Sequence, residues 1–369
     1  VKTLHLLPAF ALTAFPLFAQ NATPTPTPAP APTATPAPSP TPDPLTPRQI
    51  IDKLSDAQLS QALQNLRSNF LDASQTNDQQ LQRATLEGLV ERLSPGLSVT
   101  TEAEVKQTAT DTPAFLAEIL DGRIGYIRTG ALNREALAQT DAALASFKEK
   151  KLPAIILDLR GAPASTDYEM AAEFARRFCP KGKVLFSVQK PSAKQERILT
   201  SDQDPSFTGI LVVLTDKKTS GNTEALAAAL RQDANAMIVG ATTRGEAVEF
   251  SDLALGDGKI LRVAVAQVMI PNLGPIFPNG VKPDIAAELN PVTQARIFKL
   301  SKAKGVSQFV FETERPHFNE AALVANTNPE IDPDVMKPDD HSATWDTVLQ
   351  RAVDLVTAIS FYHKTEPPH

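Results

Sequence analysis

The chain has 369 residues, 42% hydrophobic and 21% charged, which is the balance of a folded globular protein and excludes a wholly disordered or fibrous one. A net charge of −6, with no long Lys/Arg run, argues against a nucleic-acid partner, which needs a basic face. The single cysteine, Cys179, excludes an intrachain disulfide and reads as a small buried hydrophobe.

Residues 1–19 read as a secretory signal: Lys2, an apolar run from Leu6 to Phe18, and Leu17-Phe18-Ala19 as a cleavage site. The run is shorter than a bilayer span and contains Pro8 and Pro16, so a cleaved signal is favoured over an anchor. Nothing later is apolar enough to cross a membrane, and the expected location is exported, periplasmic or extracellular. Residues 20–48 are a Pro/Thr/Ala-rich linker in polyproline II, a spacer of ~3.1 Å per residue. Docking of a proline-binding module and glycosylation of its hydroxyls stay open.

A helical region follows over 49–110. Leu59, Leu63, Leu66 and Phe70 recur at helical spacing, as do Leu86, Leu89, Val90 and Leu93 after the cap Asn77-Asp78; Pro95-Gly96 ends the second helix. From residue 111 to 290, strands alternate with helices, as in a layered α/β domain. Strands are expected at Ile124–Arg128, Ala154–Arg160, Val184–Val188, Ile210–Leu214, Ala236–Gly240, Val248–Phe250 and Ile260–Ala266. Helices are expected at Ala136–Lys150, Tyr168–Phe178 and Thr223–Arg231. Residues 291–369 form an extension. In it Arg315–Asp340 is a polar, Pro-rich loop, and Thr344–Tyr362 is a helix with Trp345, Val348, Leu349, Val353, Val356 and Ile359 on its apolar side.

Four segments carry a resemblance: Ile124-Gly-Tyr-Ile, Leu157-Asp-Leu-Arg-Gly-Ala-Pro, Thr219-Ser-Gly-Asn-Thr-Glu-Ala and Val239-Gly-Ala-Thr-Thr-Arg-Gly-Glu-Ala, closed by Asn279-Gly-Val-Lys-Pro-Asp-Ile. In this order they resemble the C-terminal processing (tail-specific) serine peptidases. The resemblance implies a crotonase/ClpP-like superhelical domain of strand-strand-helix units, with a small helical region before it and a helical extension after it. It also implies a PDZ domain of roughly a hundred residues, for which the stretch between Leu97 and Leu120 is too short.

The resemblance puts a serine nucleophile on the turn and a lysine base on the later loop. Here those places hold Gly221 and Glu246. Glycine has no hydroxyl, so no acyl-enzyme forms there. The family's lysine acts as a neutral amine through burial, and a glutamate in its place has no proton to take. Ser220 is the fallback nucleophile, but it lies one residue early, about 3.8 Å away in Cα, and reads as a turn hydroxyl. Ala162, Ala164 and Ser165 replace residues that shape the family's oxyanion site. Gly161 and Asn222 are the candidate binding positions, with free amides expected at the start of the helix after Gly221.

No metal site, cofactor motif, phosphate loop or dinucleotide fingerprint is expected; His341 beside Asp339-Asp340 lacks spaced partner ligands, and His317, His363 and His369 add none. The favoured function is an exported pseudopeptidase that binds an extended peptide or protein partner by strand addition. One alternative is an active serine-type endopeptidase with a non-standard dyad. Another is a structural envelope protein, a folded block on a stalk.

Overall fold

The computed structural model describes residues 46–107, 112–310 and 344–365. The expected signal segment, most of the linker, the Arg315–Asp340 loop, and His317, His341 and His369 lie outside them. Two compact units divide the chain, Val1–Thr76 and Asn77–His369. Among the described residues no helix is long and apolar enough to cross a membrane.

In the first unit, α1 (Pro47–Ile51) and α2 (Asp56–Asn69) each start on a capping box, Thr46 with Gln49 and Ser55 with Gln58. The side chain of each cap accepts the third-residue N–H, which satisfies one of the open donors at a helix start. The apolar stripe of α2, Leu59, Leu63, Leu66 and Phe70, is exposed.

The second unit begins with α3 (Asp78–Leu93), capped as expected by Asn77, whose Oδ1 accepts Gln80 N at 2.9 Å. It continues through β1 (Leu97–Thr101), α4 (Glu102–Gln107), β2 (Leu116–Leu120), β3 (Ile124–Arg128), α5 (Arg134–Glu149), β4 (Ala154–Asp158), α6 (Tyr168–Arg176), β5 (Val184–Lys190) and β6 (Gln195–Thr200). Then come β7 (Ile210–Thr215), α7 (Asn222–Asp233), β8 (Met237–Gly240), β9 (Val248–Gly256), β10 (Lys259–Ile270), β11 (Gly274–Pro275), β12 (Ile285–Ala286), α8 (Pro291–Lys304) and α9 (Thr347–Thr365).

One sheet runs β12-β8-β7-β4-β3-β2, parallel except for the antiparallel β2–β3 pair. The other is antiparallel: Lys259–Val263 of β10 lie between β9 and β1, β10 pairs further along with β5 and β11, and β6 extends the sheet beyond β5. The fold is therefore α/β with mixed sheets.

The parallel strands read as unbroken apolar runs because both of their faces are covered. Ile155 and Leu157 of β4, with Leu211 and Val213 of β7, point into a core shared with α5, α6, α7 and the second sheet. Ala154 and Ile156, with Val212 and Leu214, point into a second core closed by Val348, Leu349, Ala352, Val353 and Val356 of α9. Side-chain alternation at period two fixes this division. The C-terminal helix thus packs on the domain. It starts at Thr347 rather than Thr344, because Asp346 caps it: its Oδ1 accepts Leu349 N at 2.9 Å. Trp345 lies before the helix.

The reading from sequence missed α1, β1, α4, β2, β6, β11, β12 and α8. β1 and β2 fill part of the stretch that looked featureless between Leu97 and Leu120. β6 is exposed at every position but Leu199, and α8 buries only Ile297 and Ser301, so neither shows an apolar period.

Candidate functional site

The carboxyl ends of β4, β7 and β8 lie side by side, and the loops that leave them meet. From β7 comes the turn 216–221. Asp216 organises it: Oδ1 accepts Lys218 N at 3.0 Å, Thr219 N at 2.8 Å and Thr219 Oγ1 at 3.0 Å. This is the local bonding that makes an aspartate after a strand a turn former. The turn ends at Gly221 with φ 63° and ψ −125°, a left-handed backbone that glycine adopts without a Cβ penalty. α7 starts on the next residue.

Glu224, in the first turn of α7, joins this turn to the loop leaving β8. It is fully buried. Its Oε2 accepts Gly221 N at 3.0 Å and Glu246 N at 2.8 Å; its Oε1 accepts Thr243 Oγ1 at 2.5 Å and Gly245 N at 2.6 Å. Burial pushes the carboxyl above the ordinary glutamate range, and these four bonds pull against it. Positions 221 and 246, far apart in sequence, therefore hang on one oxygen atom. The Glu246 carboxylate turns to Arg244, 2.9 Å away, and burial raises its pKa against the pull of Arg244 and Arg262.

The loop from β4, residues 161–167, closes the third side. Its Ser165 carbonyl accepts Asn222 N at 2.8 Å, and Asn222 Nδ2 donates to the Asp167 carbonyl at 3.2 Å. A Cβ on Gly221 would lie 2.4 Å from the Ser165 oxygen, so a side chain at 221 and this loop exclude each other. Gly161 N donates to Asp216 Oδ2 at 3.0 Å.

The expectation of free amides at the turn is thereby corrected. Gly221, Asn222 and Gly161 all have their N–H groups bonded within the chain: Gly221 to the Glu224 carboxylate, Asn222 to the Ser165 carbonyl of the loop after β4, and Gly161 to the Asp216 carboxylate. Ser220 is 2% exposed, and its carbonyl accepts Thr223 Oγ1 at 2.8 Å. Among the described residues no hydrogen bond joins the Ser220 hydroxyl to a histidine, lysine or carboxylate.

A buried charge cluster lies at the root of the same loop. Arg160, 1% exposed, donates Nε to Asp158 Oδ1 at 2.8 Å and Nη2 to Asp158 Oδ2 at 2.7 Å. It also meets Asp346 through Nη1–Oδ1 at 2.9 Å and Nη2–Oδ2 at 2.8 Å. Tyr126 Oη donates to Asp158 Oδ2 at 2.7 Å. Burial works against the Asp158 carboxylate, yet the Arg160 guanidinium and the Arg160 and Tyr126 hydrogen bonds hold it below the usual aspartate range. Charges this deep persist only when paired and hydrogen-bonded. Phe298 of α8 stacks over both guanidiniums, 5.5 Å from Arg160 and 4.7 Å from Arg128, and Gln294 Nε2 donates to Asp216 Oδ2 at 2.6 Å.

Sequence reasoning missed Ser165 as an occupant, and it missed Asp216, Glu224's four-bond role, Gln294, Phe298 and Asp346. The Asp216-Lys-Lys-Thr219 run was a readable turn signal. A main-chain carbonyl has no signature in sequence.

Residues 123–287 match the family model described as Peptidase family S41. Carboxy-terminal processing protease CtpA of Bacillus subtilis is 27% identical over 188 residues, covering 51% of this chain and 40% of that protein. The carboxyl-terminal-processing protease of Synechocystis sp. is 27% identical over 212 residues, covering 56% and 49%. The chain spans about half or less of the length of these relatives. A solved structure, the photosystem II D1 C-terminal processing protease, overlaps 59% of this chain and 53% of its own at 22% identity and a TM-score of 0.43. Over residues 123–287, less than half of its length, the chain is similar to peptidase family S41.

Proposed function

We propose that this domain is a pseudopeptidase: an S41 scaffold without hydrolytic chemistry, exported, and used to hold an extended peptide or protein segment. One observation carries the first part. At the nucleophile place, Gly221 has a left-handed backbone with the Ser165 carbonyl 2.4 Å from the missing Cβ position. The place lacks an attacking oxygen, and the chain fills the room for one. Glu246, at the base place, is paired with Arg244. No proton transfer from 221 to 246 is available.

The relatives' names describe processing of C-terminal ends, and an extended tail is the substrate class that fits this scaffold with cleavage removed. The order of elements supports the crotonase-like superhelix: helices follow β3, β4 and β7, and strands of the second sheet are inserted after α6 and β8. Export rests on the pattern of residues 1–19.

The test uses the whole chain incubated with an unstructured protein, beside Ser220→Ala. No cleavage by either protein supports the reading. Cleavage lost in Ser220→Ala supports the alternative, a serine peptidase with a non-standard dyad.

A further inference from the structure

The loop that fills the turn is held from outside the family domain. Arg160, the residue before Gly161, is gripped through two bonds by Asp346, which caps α9. Phe298 lies 3.2 Å from the point where a Cβ on Gly161 would sit. Gln294 shares Asp216 Oδ2 with Gly161 N. All three anchors, Gln294, Phe298 and Asp346, lie beyond residue 287, where the family match ends. The far end of the loop is tied to α6, where Asp167 Oδ1 caps the helix by accepting Met170 N at 3.0 Å; between the ends Ala164 and Thr166 are exposed, and Ser165 and Asp167 touch the turn through one hydrogen bond each to Asn222.

Asn222 carries the second clue. It is 1% exposed, and its Oδ1 is buried with no hydrogen-bond donor. A buried acceptor left unpartnered is costly and calls for an occupant. With the loop in place, the Asn222 N–H holds a carbonyl and its Oδ1 holds nothing. The pair, one donor and one acceptor on one residue, matches one residue of an extended chain, whose C=O and N–H belong to adjacent peptide groups and face the same side: its C=O on the Asn222 N–H, its N–H on Oδ1.

We propose that residues 161–167 form a strap, a built-in occupant of the Gly221–Asn222 turn latched by Asp346, Phe298 and Gln294, and that its release opens Asn222 to a peptide backbone. The strap's Ser165 carbonyl stands where the ligand's carbonyl binds, so strap and ligand compete for one N–H. This regulation rests on the peptide-binding reading above, but the latch itself is testable without any ligand.

The experiment is hydrogen exchange on the full chain, at short labelling times, for the parent, Asp346→Asn and Gln294→Ala. Asp346→Asn keeps the shape and weakens the grip on Arg160; Gln294→Ala removes one bond near the surface and protects the test against a folding failure of the first variant. The expected result is exchange about tenfold faster or more across the strap and at the Asn222 amide, with β4 and β7 still protected. Strap exchange unchanged in both variants, or rising only in step with β4 and β7, overturns the latch. A fluorescein-labelled peptide pool from carboxymethylated casein gives the second readout. Tighter binding by the loosened variants supports the opening of Asn222. Faster strap exchange with no binding leaves the latch standing and removes the peptide-binding reading.

Discussion

The Ser165 carbonyl oxygen lies 2.4 Å from the point where a Cβ on Gly221 would sit, and it accepts the N–H of the following residue, Asn222. Glycine at 221 and the closed 161–167 loop are one feature: the absence of a side chain is what lets the carbonyl in. Restoring the side chain therefore does more than supply a hydroxyl. Gly221→Ser places a Cβ against a backbone oxygen at φ 63° and is expected to lower unfolding stability by about 1–3 kcal/mol in urea melts. Because a side chain at 221 and the closed loop exclude each other, the double change Gly221→Ser with Glu246→Lys is expected to displace the 161–167 loop from the turn, which faster hydrogen exchange across the loop checks.

Leu349 is fully buried in the core shared by β4, β7 and α9. If α9 belongs to the domain's cooperative unit, Leu349→Ala leaves a cavity there and costs about 2–5 kcal/mol. Chemical denaturation followed by circular dichroism checks this. A single transition at lower midpoint is expected; separate loss of the helix, with the rest unchanged, runs against it.

Cys179 is fully buried, and burial pushes its thiol up to about 12, with Asp233 adding to the shift. The thiolate is the reactive form. Ellman's reagent is expected to find no thiol in the folded chain at neutral pH and one after unfolding.

Glu246 gives a pH signature. Burial raises its folded pKa above the ordinary glutamate value of 4.5, so the folded chain holds this proton more tightly than the unfolded chain does. The sign follows from linkage: the group's stabilising contribution is complete below 4.5 and is lost as pH rises through the folded value. Relative to Glu246→Gln, the parent should lose stability as pH rises above 4.5. Paired urea titrations across that range measure it, and a difference constant with pH contradicts it.

Much of the parallel sheet was legible because strands covered on both faces show long apolar runs: Ala154–Asp158 and Ile210–Thr215 need no partner to be recognised. The positions 221 and 246 were legible through a resemblance in register, and the structure brings both onto the Glu224 carboxylate. What stayed hidden is of two physical kinds. Elements such as β6 and α8 bury one or two side chains each, so periodicity has nothing to report. The closure of the site depends on a main-chain carbonyl at Ser165 and on an ion pair between Arg160 and Asp346, 186 residues apart, and neither leaves a local pattern.

The central claim is that no attacking oxygen operates at this turn, and one measurement addresses it directly. The folded full-length chain is treated with a fluorophosphonate probe and its peptides are read by mass spectrometry. The account predicts no adduct on residues 216–224. A covalent adduct on Ser220 that forms in the folded chain and not after denaturation contradicts it.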